Sequence, residues 1–145
     1  MKLSRFEDLH CWQEARALTR MLYQVIGENG HFRRDIRLAG QLQAAAGSVM
    51  ANIAEGLTRR SDKEFVQFLY TAMASAAEVQ SHLYIARDAG YITEENFKTM
   101  YGQAGKSSKL ISGLIKYLRS PKIEKTEQTR QTRKTEQTRS AEKTR

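Results

Sequence analysis

Two polar stripes, one His–Cys step and three arginine clusters are the parts of this chain whose residue types and spacing bear on chemistry. Glu64, Gln67, Thr71, Ser75, Glu78 and His82 recur at helical spacing, and Arg37, Gln41, Ser48, Asn52 and Glu55 do the same earlier in the chain. Carboxylates facing one another across helices suggest a di-metal site. That chemistry needs Glu-x-x-His on two helices, so that carboxylate and imidazole both point inward. Here Glu78 and His82 stand four apart with no second such pair, so no metal and no cofactor is expected. Ser48, Asn52, Ser75 and Glu78 are better suited to hydrogen-bond across packed helices and fix their register. Glu55 has the same task at a helix end, accepting from Arg59, Arg60 or the backbone of the next turn, because a buried unpaired carboxylate is costly. Ser61 and Glu64 complete this structural polar set.

No nucleophile is armed. His10 and Cys11 are sequence neighbours, which on a helix sets their side chains about 100° apart, and no third orienting group lies at a useful spacing. His31 is expected in a loop. GxGxxG, Walker, HExxH and GxSxG patterns are absent. The chain is expected not to be an enzyme, with no catalytic residue to name.

The arginines suggest more. Arg16 and Arg20 lie one turn apart on the first helix; Arg33, Arg34 and Arg37 surround the start of the second; Arg59, Arg60 and Lys63 surround the start of the third. In an antiparallel bundle the last two clusters fall at opposite ends, and a symmetric oligomer would repeat each as a ring. Such rings hold polyanions through phosphate, with steep salt dependence and little sequence preference. The other reading is that these cations are solvated or pair with Glu7, Asp35, Asp62 and Glu64.

The elements that must position these groups are helices. Leu38–Ala54 runs 17 residues without a charge in a chain that is 28% charged. Leu38, Leu42, Ala45, Val49, Ile53 and Leu57 share one face, and Gly40, Ala44, Gly47 and Ala51 form a ridge of small residues on the other. A helix uncharged all round is normally buried all round, yet one bundle covers only one face of it. The ridge is therefore expected to meet another copy of the chain, together with part of the first helix. A membrane span is excluded by length and by Gln41, Gln43, Ser48 and Asn52. MKLSRFED lacks the apolar core of a secretory signal, so the protein is expected in the cytoplasm and off the membrane.

With 145 residues, one cysteine and one proline that lies at position 121, the chain suits a single all-α domain free of disulfides. The first helix is predicted over about Asp8–Glu28 and is broken by GENGHF. The second begins near Arg34 or Asp35 and stops at Gly56. The third follows the capping box Ser61-Asp62-Lys63-Glu64 and carries Phe65, Phe68, Leu69, Ala72, Ala76, Val79, Leu83 and Ala86 to the core. Gly90 and Thr93 close it and open the fourth, whose apolar set is Phe97, Tyr101, Ala104, Ile111, Leu114, Ile115 and Leu118. Short connections make this an antiparallel up-and-down four-helix bundle over residues 1–121. Residues 122–145 repeat KTEQTR and offer almost nothing to bury, so a basic, disordered tail is expected. The tail holds 8 Lys and Arg against 4 Glu, half of the net charge of +8. The remaining +4 makes the body only mildly basic.

FEDLHCWQEA, QLQAAAGSVMANIAEG, RRSDKEFVQFLYTAMASAAE and ARDAGYIT are the stretches by which the chain resembles a bacterial four-helix-bundle family, the proteins of intervening sequences in large-subunit ribosomal RNA genes. NIAEG followed by R-x-S-x-x-E-F-x-x-F-L is the most specific part. Trp12, Asn52, Ile53, Ala54, Glu55, Gly56, Arg59, Ser61, Glu64, Phe65, Phe68 and Glu78 stand where the family pattern has them. The pattern departs at Gln43 and Ala44, where relatives often carry two arginines, and at Ala74, where glycine is usual. This family is more distantly similar to the accessory variability proteins of diversity-generating retroelements. That likeness implies a barrel-like homopentamer that binds RNA or DNA and a reverse transcriptase. Sequence thus leads to a self-assembling bundle that holds nucleic acid, or alternatively to an adaptor for a reverse transcriptase or other polymerase.

Overall fold

In the computed structural model, residues 5–121 are described, and the tail predicted over 122–145 lies outside them. After a 3-10 turn at Phe6–Asp8 come α1 (His10–Glu28), α2 (Gly30–Arg34), α3 (Ile36–Leu57), α4 (Asp62–Asp88) and α5 (Glu94–Arg119). The four long helices are α1, α3, α4 and α5. Each packs on its chain neighbour and α1 closes on α5, so α3 and α5 occupy diagonal corners. Among the described residues there is no strand, as the all-helical reading requires.

The ends of these helices follow from local chemistry. Ser61 caps α4, its Oγ accepting from the Glu64 N–H at 3.2 Å, and Thr93 caps α5, accepting from Asn96 N–H at 3.0 Å. Gly90 has φ +77°, the left-handed backbone that closes α4. Three boundaries differ from expectation. The first helix starts at His10 rather than Asp8, because Leu9 is extended and buried and Gln13 Nε2 donates to the Glu7 carbonyl at 2.9 Å. The GENGHF breaker holds the helix α2, which places His31 on a helix instead of in a loop. Its cause is Phe32, fully buried, stacked on Tyr91 with ring centroids 5.3 Å apart, and held there by the Asn29 side chain, which caps α2 and donates to the Tyr91 carbonyl. Asp35 does more than favour a helix dipole: it caps α3 by accepting from Leu38 N–H and also accepts from the Tyr91 hydroxyl.

Gly56 is the third difference. It sits inside α3, which runs on to Leu57, and has no positive φ. A Cβ there would lie 2.6 Å from the Phe65 ring and 2.8 Å from the Phe68 Cβ. The glycine is needed for close approach of α3 and α4 rather than for termination.

The core comprises two apolar clusters. One gathers Leu18, Leu22, Phe32, Leu42, Val79, Leu83 and Met100; the other gathers Val49, Ile53, Phe65, Leu69, Ile111 and Ile115. Alanines (Ala15, Ala45, Ala46, Ala72, Ala76 and Ala104) fill the helix faces between the larger side chains. On α5 the buried positions include Met100 and Ser107, whereas Tyr101, expected inside, is exposed at the seam with α4.

Candidate nucleic-acid interface and self-association face

The polar set divides into three parts. Ser48 Oγ and Ser75 Oγ are 2.8 Å apart across α3 and α4, and Asn52 Nδ2 donates to the Ser48 carbonyl and hydroxyl at 2.8 and 3.0 Å. These three tie the α3–α4 seam together. Ser61 and Glu64 form the cap of α4, the Ser61 hydroxyl also donating weakly to Glu64 Oε2 at 3.4 Å. Glu55 and Glu78 stay outside the network and are exposed. Glu78 instead sits 3.4 Å from His82 Nε2, one turn along α4.

The ridge points outward. Gly40, Ala44 and Ala51 lie on the surface in the first two turns and beyond, with Gly47 half-buried among them, and a Cβ at Gly40 or Gly47 would meet nothing within 4 Å. Beside it on α4, Thr71 and Ser81 are exposed and uncharged, and the exposed Glu78 lies between them. On α1, by contrast, Arg16 and Arg20 are exposed.

All eight nominated cations are exposed, and none forms an ion pair with a carboxylate among the described residues. They are not all idle. Arg33 Nη1 donates to the Gly27 carbonyl at 2.7 Å; Arg59 lies 4.5 Å over the Phe68 ring; Arg16 lies 6.0 Å from the Trp12 ring. Arg33, Arg34 and Arg37 sit at the α2–α3 end of the bundle, and Arg59, Arg60 and Lys63 at the other.

A larger cationic surface gives no arginine signal in sequence. From Asn96 to Pro121 there are four lysines and one arginine and not one carboxylate. Lys98, Lys106, Lys109 and Lys116 are all exposed on α5, over about 27 Å at 1.5 Å per residue. A charge count along the chain finds this row, whereas a search for arginine clusters passes over it. Lys106 is 3.2 Å from Glu14, whose carboxyl is held below the usual range by the Gln103 amide and then by Lys106.

Burial pushes the Cys11 thiol up to about 11, which leaves it protonated and unreactive at neutral pH. No group of three His, Cys, Asp or Glu side chains gathers to hold a metal ion among the described residues. No described helix is long and apolar enough to cross a membrane.

Fold and surface together define a class: a small antiparallel helical bundle with an uncharged corner and a cationic one. More specifically, the chain belongs to the 23S rRNA-intervening sequence protein family, whose model matches residues 7–113. Among solved structures it is similar to a Bacteroides thetaiotaomicron protein of unknown function from the S23 ribosomal protein family. The TM-score is 0.65 and the identity 22%, over 73% of this chain and 98% of that one, which supports the fold. No curated protein matches the chain.

Proposed function

We propose that the protein is a non-enzymatic bundle that assembles with copies of itself through the outward side of α3 and holds nucleic acid on its cationic surfaces. The observation that supports this best is the separation of charge between diagonal corners: a small-residue ridge on α3, and on α5 a lysine row within a stretch, residues 96–121, that has no carboxylate of its own. Burying the ridge against another copy leaves the α5 row in solvent. Arg59, Arg60 and Lys63 extend the cationic surface at the end where α5 terminates.

Phosphate binding of this kind is read by its salt dependence. Replacing Lys98, Lys106, Lys109 and Lys116 by Ala is expected to weaken binding of an RNA or DNA oligonucleotide to the full chain. The slope of log affinity against log salt should fall by about 0.7–0.9 for each phosphate that the variant no longer neutralises. Replacing Arg59, Arg60 and Lys63 by Ala should lower it further. A slope unchanged by both sets removes nucleic acid from these surfaces. Native mass measurement with and without nuclease reads copy number and retained nucleic acid together; five copies is the number that the family resemblance implies.

A further inference from the structure

We propose that the groove between the start of α4 and the end of α5 is a subsite for one unpaired nucleotide, with its base stacked on Tyr70 and its phosphate held by Lys63 and Arg119. This rests on the nucleic-acid reading above and makes it specific to strand type. The groove has a volume of about 410 Å³, within the range of small-ligand sites, and is lined by Asp62, Lys63, Val66, Gln67, Tyr70 and the last turn of α5. The Tyr70 ring is 45% exposed, large for an aromatic on a packed seam. Its hydroxyl accepts from Arg119 Nη1 at 3.0 Å, which fixes the ring and brings a guanidinium to its edge.

The composition favours a nucleotide over a simple anion. A ring face suits a base, two cations on opposite walls suit a phosphate, and the Gln67 amide can pair with a base edge. Asp62 also lines the groove and is engaged in an interaction of its own. The base must be unpaired, because in a duplex both faces of each base are covered by neighbours.

The other end of the same seam is the internal contrast. Tyr84 and Tyr101 are 44% and 36% exposed with ring centroids 5.8 Å apart, and Arg87 lies 5.0 Å over Tyr84. That arginine is already neutralised by Glu94 and Asp88, each at 3.7 Å. An aromatic without a free cation is a poor phosphate-linked platform.

The test uses the full chain and fluorescein-labelled oligothymidine, single-stranded and annealed to oligoadenosine. Tyr70→Ala is expected to weaken single-strand binding roughly ten-fold or more while leaving duplex binding unchanged. Tyr70→Phe retains the stack and most of the affinity, and Tyr84→Ala matches wild type. Circular dichroism melts verify folding of each variant. Single-strand binding unchanged in Tyr70→Ala overturns the subsite and leaves the broader reading standing. Equal losses on both strand types also overturn it, since they mean that Tyr70 acts only by holding Arg119. A wild-type chain that binds neither probe overturns the subsite and the nucleic-acid reading together.

Discussion

α3 and α5 stand at diagonal corners of the bundle, bury one face each in the same core, and differ almost completely on the other. Outward from α3 project Gly40, Ala44, Gly47 and Ala51; outward from α5 project Lys98, Lys106, Lys109 and Lys116. The inner faces obey one periodicity because both must fill the same interior. The outer faces are free of that constraint, and in the proposed function they divide assembly from binding. Burying a lysine row against a protein costs side-chain entropy and desolvation for every ammonium. Burying a row of glycine and alanine costs little of either and lets backbones approach closely.

The sharpest way to break this contrast is to exchange the character of the two faces. Ala44→Glu places a charge on an exposed position of α3, where a monomer tolerates it but an interface does not; the penalty for an unpaired buried charge is several kcal/mol. Assembly is expected to collapse to smaller species by light scattering, and Gly47→Leu is expected to act in the same direction through bulk. Lys109→Glu on α5 should leave the assembled mass unchanged and reduce nucleic-acid affinity. If both α3 substitutions leave mass untouched, the ridge has another purpose.

A smaller effect separates the two sides of α3 itself. Gly56→Ala forces a Cβ to within 2.6 and 2.8 Å of Phe65 and Phe68. Overpacking of this type costs about 1–3 kcal/mol, offset in part by about 1 kcal/mol of helix propensity. Gly40→Ala meets nothing within 4 Å and gains the propensity alone. Urea melts under monomeric conditions are expected to move in opposite directions for the two variants; movement in the same direction refutes the close-approach reading of Gly56.

The long helices are legible because each has a periodic apolar face that tertiary packing does not contradict, and α4 and α5 add caps: Ser61, Thr93 and Gly90 act where their types suggest. Gly56 is ambiguous in sequence since glycine ends helices and also permits close approach, and only the partner side chains tell these apart. α2 has no sequence signature because a single phenylalanine, Phe32, among turn-forming residues gives no period. Tyr101 looks like core by spacing but lies at the α4 seam, where a large ring fits outside more easily than in an alanine-rich interior. Ser48, Asn52 and Ser75 converge as their spacing suggests, while Glu55 and Glu78 do not. The Tyr70 groove has no signal in sequence, for it needs residues from two antiparallel helices that only the fold brings together.

The inner face of α5 offers the last comparison, one in which it is less well made than α3. Ser48 and Ser75 share a hydrogen bond at the α3–α4 seam, whereas Ser107 is fully buried and its hydroxyl has no partner among the described residues. Leaving a buried hydroxyl unsatisfied costs about 1–3 kcal/mol, and removing it costs almost no volume. Ser107→Ala is therefore expected to raise stability by up to about 1 kcal/mol, while Ser75→Ala lowers it by a similar amount because it strips the Ser48 hydroxyl of its cross-helix partner. Denaturant midpoints of the two alanine variants read the difference directly. Equal destabilisation by both would mean that Ser107 is satisfied in solution, and the asymmetry between the two helices would end at their outer faces.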